Sequence, residues 1–205
     1  SLAGLFAAGL TPSGTKDPFA QRRAALGLVQ NLIAWDADFD LQDGLNAAAA
    51  NLPMIAEPKL LVDCLEFIIG RLRSHLIEQG YRYDVVDAVL TAQRRNPAGV
   101  MRAVRSLSAM ITRPDWNTIL PAYSRCVRIT RDQKERYSVD AAAFSQAEET
   151  ALYQALVKAE NTARKAGSVD EFFDVFLPMI PAINHFFDTV LVMADEPVVR
   201  ANRLG

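Results

Sequence analysis

Little in this chain advertises chemistry. Its 205 residues include two cysteines and two histidines. Cys64 and Cys126 sit among apolar neighbours at helical spacing and read as buried free thiols in a reducing cytosol; a disulfide is the less economical reading, and a zinc site needs more ligands than two. His75 and His185 lie far apart, and neither has a second ligand at metal spacing or a following Asp. The His-Asp pair of metal-dependent phosphohydrolases is therefore absent, and both histidines are expected to be hydrogen-bonded residues at helix interfaces. There is no Walker loop, no dinucleotide glycine fingerprint and no nucleophile elbow. The carboxylate pairs Glu148-Glu149 and Asp195-Glu196 are read at helix starts, where acids favour the helix dipole. No catalytic and no metal-binding residue is assigned. No apolar run approaches the roughly 20 residues of a membrane span, and Ser1 to Leu10 lacks the basic lead of a secretory signal. No segment alternates with a period of two, no Asn-Gly or Asp-Gly turn joins β-branched runs, and no repeat of fixed period emerges.

What the chain has is helical periodicity. Half of its residues are apolar, enough at this length for one large or two small domains. Ser1 to Leu10 reads as the end of an apolar helix, closed by Gly9 and the turn-forming Thr11-Pro12-Ser13-Gly14-Thr15. Asp17 as N-cap and Pro18 as first helical residue predict a second helix with Phe19, Leu26, Val29 and Ile33 on one face. Asp36, Asp38, Asp40 and Asp43 lack the glycine and the bidentate Glu of a calcium loop, so they read as solvated loop acids, Asp40 capping a helix through Ala50. Pro58 opens a longer helix to about Gln79, with Leu61, Leu65, Ile68, Leu72 and Leu76 inward. Asp84 is expected to cap a helix through Leu90, and Asn96-Pro97 to open the next, with Val100, Val104, Leu107 and Ile111 buried. Asp115 to Ile129 is helical in pattern, Pro121 forcing a kink or a restart. Ser145-x-x-Glu148 and Ser168-x-x-Glu171 fit the capping box, the first helix running to about Ala166 and the second carrying Phe172, Phe173 and Phe176. A last apolar helix is expected from Ala182 to about Met193. The fold class is all-α, a helical bundle of about eight to ten helices. The chain opens in mid-pattern and reads as a fragment of a longer protein.

Charge is the second signal. Arg71 to Arg136 carries 13 Lys+Arg against 6 Asp+Glu, a balance of +7, while the flanking segments stand at −4 and −5. Twelve of those cations are Arg, whose planar fork suits phosphates and base edges. Arg125, Arg128 and Arg131 recur every three residues and form a drifting stripe on one helix, opposite Tyr123 and Thr130. Arg94 and Arg95 mark a basic corner at a helix junction. Tyr81, Tyr83, Trp116 and Tyr123 are interleaved as possible stacking surfaces for unpaired bases. The competing reading is a set of solvated faces and ion-pair partners for the acidic flanks.

Three stretches carry a family resemblance. Gly4-Leu5-Phe6 through Gly9-Leu10-Thr11-Pro12-Ser13-Gly14-Thr15-Lys16-Asp17-Pro18-Phe19-Ala20-Gln21-Arg22-Arg23 resembles a long segment of the bacterial glycyl-tRNA synthetase β subunit family. Arg82-Tyr83-Asp84-Val85-Val86-Asp87-Ala88-Val89 looks like that family's R-x-D-V-I-D-A-V. Phe186-Phe187-Asp188-Thr189-Val190-Leu191-Val192-Met193-Ala194 with Arg200-Ala201-Asn202-Arg203-Leu204 looks like the close of helical anticodon-binding domains, a type shared with arginyl-tRNA synthetases. The family's A-Y-K-R-V-x-N-I stands here as Ala122-Tyr123-Ser124-Arg125-Cys126-Val127-Arg128-Ile129, so Ser124 and Arg128 depart from it.

The resemblance implies the end of an HD-like helical domain over residues 1–55 and an anticodon-binding helical domain over 56–205, with a border near Pro53 to Pro58. It implies a cytoplasmic partner of glycine tRNA and of the synthetase α subunit, with no membrane contact. No cofactor is expected in this fragment; ATP and Mg would act through the α subunit. Tyr123, Arg125, Arg128 and Arg131, with Arg94 and Arg95, are the expected RNA contacts, in a groove beside the Tyr123–Arg131 helix where unpaired cytosines are stacked and read. Lys16, Arg22 and Arg23 form a secondary surface, the arginines alternatively bracing the Lys16-Asp17-Pro18 turn. Two rivals stand beside this reading: a helical protein-interaction module with no direct RNA contact, and, weakest, an HD-type phosphohydrolase fragment.

Overall fold

The computed structural model describes residues 1–205. It contains eleven α-helices, two short 3-10 turns and no strand; the one extended pairing is an isolated bridge between Ser13 and Lys16. The all-α expectation is met. Packing divides the chain into two compact units, Ser1–Ala109 and Met110–Gly205.

The first unit is built around α4 (Pro58–Glu78), a 21-residue helix entered through Pro58, which needs no N–H at that position. Its buried face holds Leu61, Cys64, Leu65, Ile68, Ile69, Leu72 and Leu76, the i, i+3, i+4 stripe of a core-facing helix. Against it pack α1 (Leu2–Ala7), α2 (Gln21–Ala34), α3 (Leu41–Ala50) and α5 (Tyr83–Ala92). Helices from both sides of residues 53–58 thus share one core. Asp40 caps α3 as its sequence predicts, accepting the N–H groups of Gln42 and Asp43 at 2.8 and 3.1 Å. Asp36 and Asp38, expected as solvated acids, instead both accept from Arg102 on α6 (Pro97–Met110), and Asp38 also accepts from Asn96 at 2.7 Å.

Two starts are corrected. α2 begins at Gln21, three residues beyond Pro18, because Ala20 takes the left-handed conformation at φ +53°. Asp17 still serves the helix, its two oxygens accepting the N–H groups of Gln21 and Arg22 at 2.8 and 2.9 Å, but Phe19 lies outside the buried face and is half exposed. In α5 the cap position is Arg82, and Asp84 sits inside the first turn, paired with Arg82.

The second unit holds α7 (Trp116–Thr130), α8 (Ala147–Glu160), α9 (Val169–Phe176), α10 (Ile180–Thr189) and α11 (Pro197–Leu204). α7 runs through Pro121 without a restart; its exposed Asn117 carbonyl loses that N–H partner on the solvent side. α8 starts one residue later than its Ser145 box implies, with Gln146 at the cap and Glu149 reaching back to it, and it ends at Glu160 instead of near Ala166. At α9 only the forward half of the box forms: Ser168 Oγ accepts the Glu171 N–H at 3.3 Å, while the Glu171 carboxylate accepts from the Lys165 N–H. α10 stops at Thr189, short of Met193, and α11 was not anticipated.

Candidate nucleic-acid interface

The arginine stripe stands on α7. Tyr123, Cys126 and Thr130 recur at three- and four-residue spacing, so they share one side of that helix. With Phe144, Tyr153, Phe172, Phe176 and Leu204, among others, they line an apolar cavity of about 370 Å³ in the second unit. Arg128 lies two residues from Cys126 and two from Thr130, hence on the opposite side, with Arg125 and Arg131 on its flanks. The stripe and the cavity therefore occupy different faces of α7. The cavity beside this helix has an aromatic and aliphatic wall, and the arginines of the stripe face away from it.

The residues of the stripe differ in their commitments. Arg125 donates to Asp188 at the end of α10 at 2.8 Å, with both side chains about half exposed. Arg128 and Arg131 are exposed and carry no ion-pair or hydrogen-bond partner. Both sit at the C-terminal end of α7, where the helix dipole favours a cation. Lys134 and Arg136 follow in the loop after α7, also exposed and unpaired. Tyr123 is 47% exposed and meets Phe172 and Phe176 edge-on, with centroids 6.4 and 6.0 Å away. One side of its ring is held and the rest is open.

In the first unit Arg94 pairs with Glu66 at 2.9 Å, whereas the Arg95 side chain is exposed and unpaired while its carbonyl accepts the Leu41 N–H at 2.8 Å. Arg22 braces the turn before it by donating to the Gly14 carbonyl. Lys16 and Arg23 are exposed. Arg73, Arg82, Arg102 and Arg113 are tied to Asp87, Asp84, the Asp36–Asp38 pair and Asp115. Arg71 lies 6.0 Å over the Phe67 ring, its Nε buried without a partner. Six of the thirteen cations, counting Arg94 and Arg125, thus answer carboxylates, and the unpaired excess gathers after Ser124.

The side chains that shape this region from behind were not anticipated. Glu149 and Arg203 form a buried ion pair at 2.7 Å, 4% and 7% exposed respectively. The second Glu149 oxygen accepts the N–H groups of Ser145 and Gln146, both at 2.8 Å, and Arg203 also donates to the Leu191 carbonyl at 3.0 Å. Burial pushes the Glu149 carboxyl upward, but Arg203 and the two N–H donors outweigh it and hold the group below its usual value. Asn202 closes a two-way bridge to Asp140, accepting its N–H at 2.7 Å and donating to its carbonyl at 3.0 Å. The Asn202-Arg203 pair thereby fastens α11. Cys64 is buried and its thiol pushed up to about 11; Cys126 is half-buried, and burial raises it too. His75 contacts Gln79 on its own helix at 3.0 Å, and His185 faces Glu148 across the surface at 3.2 Å. No three His, Cys, Asp or Glu side chains converge as a metal-binding group.

Fold and surface together define an all-helical chain with a run of unpaired cations at the C-terminal end of α7 and in the loop after it, and with no cluster of reactive groups. The sequence profile described as "Glycyl-tRNA synthetase beta subunit" matches residues 1–91. Relatives align over the whole chain: the glycine–tRNA ligase β subunit of Syntrophus aciditrophicus at 34% identity, that of Lacticaseibacillus casei at 35%, and a chloroplastic/mitochondrial glycine–tRNA ligase of Arabidopsis thaliana at 32%. The chain spans about 30% of the two bacterial proteins and 19% of the plant one. It is a segment of the glycyl-tRNA synthetase β subunit family.

Proposed function

We propose that this chain is the tRNA-binding part of a glycine–tRNA ligase β subunit, contributing anticodon recognition to the charging of glycine tRNA. The observation that carries the reading is the unpaired pair Arg128 and Arg131 on the outer side of α7, continued by Lys134 and Arg136. Exposed guanidinium groups without carboxylates are free to exchange water and counterions for phosphates. Tyr123, on the opposite, cavity side of α7, offers an open ring edge to an unpaired base apart from the arginine stripe. Arg125, steered by Asp188, keeps part of its donor fork outward and would read a base edge in a fixed orientation.

In this reading the RNA contacts fall after residue 55, in the region assigned to the anticodon domain, with Arg94 and Arg95 as an outlying phosphate contact and Lys16 and Arg23 as a second surface. Arg22 serves the turn. The protein works in the cytoplasm beside a companion α subunit, to which glycine activation with ATP and Mg is assigned; the residues of this chain supply binding and orientation. The deciding experiment is a titration with glycine tRNA and with the same tRNA carrying both anticodon cytosines replaced. Tighter binding of the first supports anticodon reading, and equal affinities reject it. A second reading, a protein-interaction module, is favoured by the exposed aromatic side chains of the first unit and predicts no salt-dependent binding to either RNA.

A further inference from the structure

Arg125 and Asp188 make the one carboxylate contact of the arginine stripe, and it is closed differently from its counterparts elsewhere in the chain. In the exposed pairs Arg73–Asp87, Arg82–Asp84 and Arg113–Asp115 the guanidinium fork meets both carboxylate oxygens. Between Arg125 and Asp188 a single bond forms, from Nη1 to Oδ1 at 2.8 Å. Nε and Nη2 of the arginine and Oδ2 of the aspartate are left without a protein partner, on side chains 45% and 59% exposed. Both stand on held backbone. α7 and α10 pack against each other, and Ile129, one turn beyond Arg125, meets the Phe186, Val190 and Val192 cluster. The Val190 N–H closes the end of α10 on the Phe186 carbonyl at 2.8 Å. Stability does not account for the pair, because an exposed ion pair adds little. Phosphate binding does not account for it either, because an acid beside the unpaired Arg128 works against a polyanion.

We propose that Asp188 is itself a base reader, forming with Arg125 a donor–acceptor couple for the Watson–Crick edge of one anticodon cytosine. The inference rests on the anticodon reading above and deepens it. Cytosine presents the ring N3 as an acceptor beside an exocyclic amino donor. A free guanidinium N–H of Arg125 serves N3, and Oδ2 of Asp188 accepts from the amino group. Uracil carries the reverse order, an N3–H donor beside an O4 acceptor. In the same orientation its carbonyl faces the carboxylate and its N–H faces the guanidinium, so the couple rejects it by repulsion as well as by lost bonds. Phosphate contacts carry no such distinction.

The test titrates the chain and its Asp188→Asn and Asp188→Ala variants with glycine tRNA and with two tRNAs in which one or the other anticodon cytosine is replaced by uridine, at one salt concentration. Asparagine keeps an oxygen for Arg125 and sets an amide N–H group in place of Oδ2. At one of the two positions the preference for cytosine over uracil is expected to fall about tenfold in Asp188→Ala. It should fall further in Asp188→Asn, whose amide can donate to the uracil O4. Both variants should keep the parent's thermal midpoint. An undiminished preference in Asp188→Asn overturns the proposal and leaves the anticodon reading in place, because Asp188 then only steers Arg125. Equal gains in affinity for all three tRNAs in Asp188→Ala also overturn it, since they reduce Asp188 to a repulsive charge. A parent chain with no preference for cytosine at either position removes the anticodon reading and this inference with it.

Discussion

Glu149 and Arg203 show how much a single buried pair can decide. Removing one partner leaves the other charged and enclosed, which costs about 3 kcal/mol or more. Arg203→Ala is therefore expected to lower unfolding free energy by about 3 kcal/mol in denaturant titration, far more than loss of the exposed Arg73–Asp87 pair, where such pairs are worth about 0–1 kcal/mol. The pair also sets a pH dependence. The folded Glu149 carboxyl lies below its ordinary value of 4.5, so its contribution is complete above that value and is lost as pH falls through the lowered one. Unfolding curves of Glu149→Gln should be less stable at neutral pH and should lose less on acidification below pH 4.5 than the parent. At the surface, Arg128 and Arg125 separate two roles. Arg128→Ala should weaken glycine tRNA and unrelated tRNA alike and lower the salt slope by about 1, whereas Arg125→Ala should cost about 1 to 3 kcal/mol for the cognate tRNA alone.

At the scale of elements, α4 anchors the first unit and α11 closes the second. Leu72 is fully buried on α4, and Leu72→Ala should cost about 2 to 5 kcal/mol in the same titration; Val62→Ala, on the half-exposed side of that helix, should cost much less. The elements legible in the sequence are those whose ends carry local signals. Pro58 and the Leu61 to Leu76 stripe announce α4, and Asp40 announces α3. The start of α2 was misplaced because Ala20 adopts a left-handed turn that no alanine advertises. α8 was drawn too long because the helix formers of Asn161 to Gly167 lie exposed and bury no apolar face. α11 was missed although Glu196-Pro197 is a fair start signal, since eight residues with a polar mean and no fully buried side chain offer only two turns of pattern. Its stability comes from Asn202 and Arg203 reaching partners 62 and 54 residues away, distances at which pattern reading is blind. The same limit hid which arginines of the basic stretch are paired: Arg102 answers acids 64 and 66 residues earlier, and Arg125 one 63 residues later.

For the whole chain, the charge excess of the middle segment resolves into two populations. Some arginines answer carboxylates, locally or across helices, and of the unpaired ones the largest group follows Ser124, at the end of α7 and in the loop beyond it. The apolar cavity lies on the other side of that helix, so a base read by Arg125, or a phosphate met by Arg128, would approach α7 from outside. The central claim is that this surface reads the anticodon of glycine tRNA. Its most direct measurement is the affinity of the chain for glycine tRNA and for the same tRNA with both anticodon cytosines replaced, at one fixed salt concentration. The account predicts that the replacement costs about 1 to 3 kcal/mol per base, with Arg125→Ala erasing part of the difference; equal affinities for the two RNAs would contradict it.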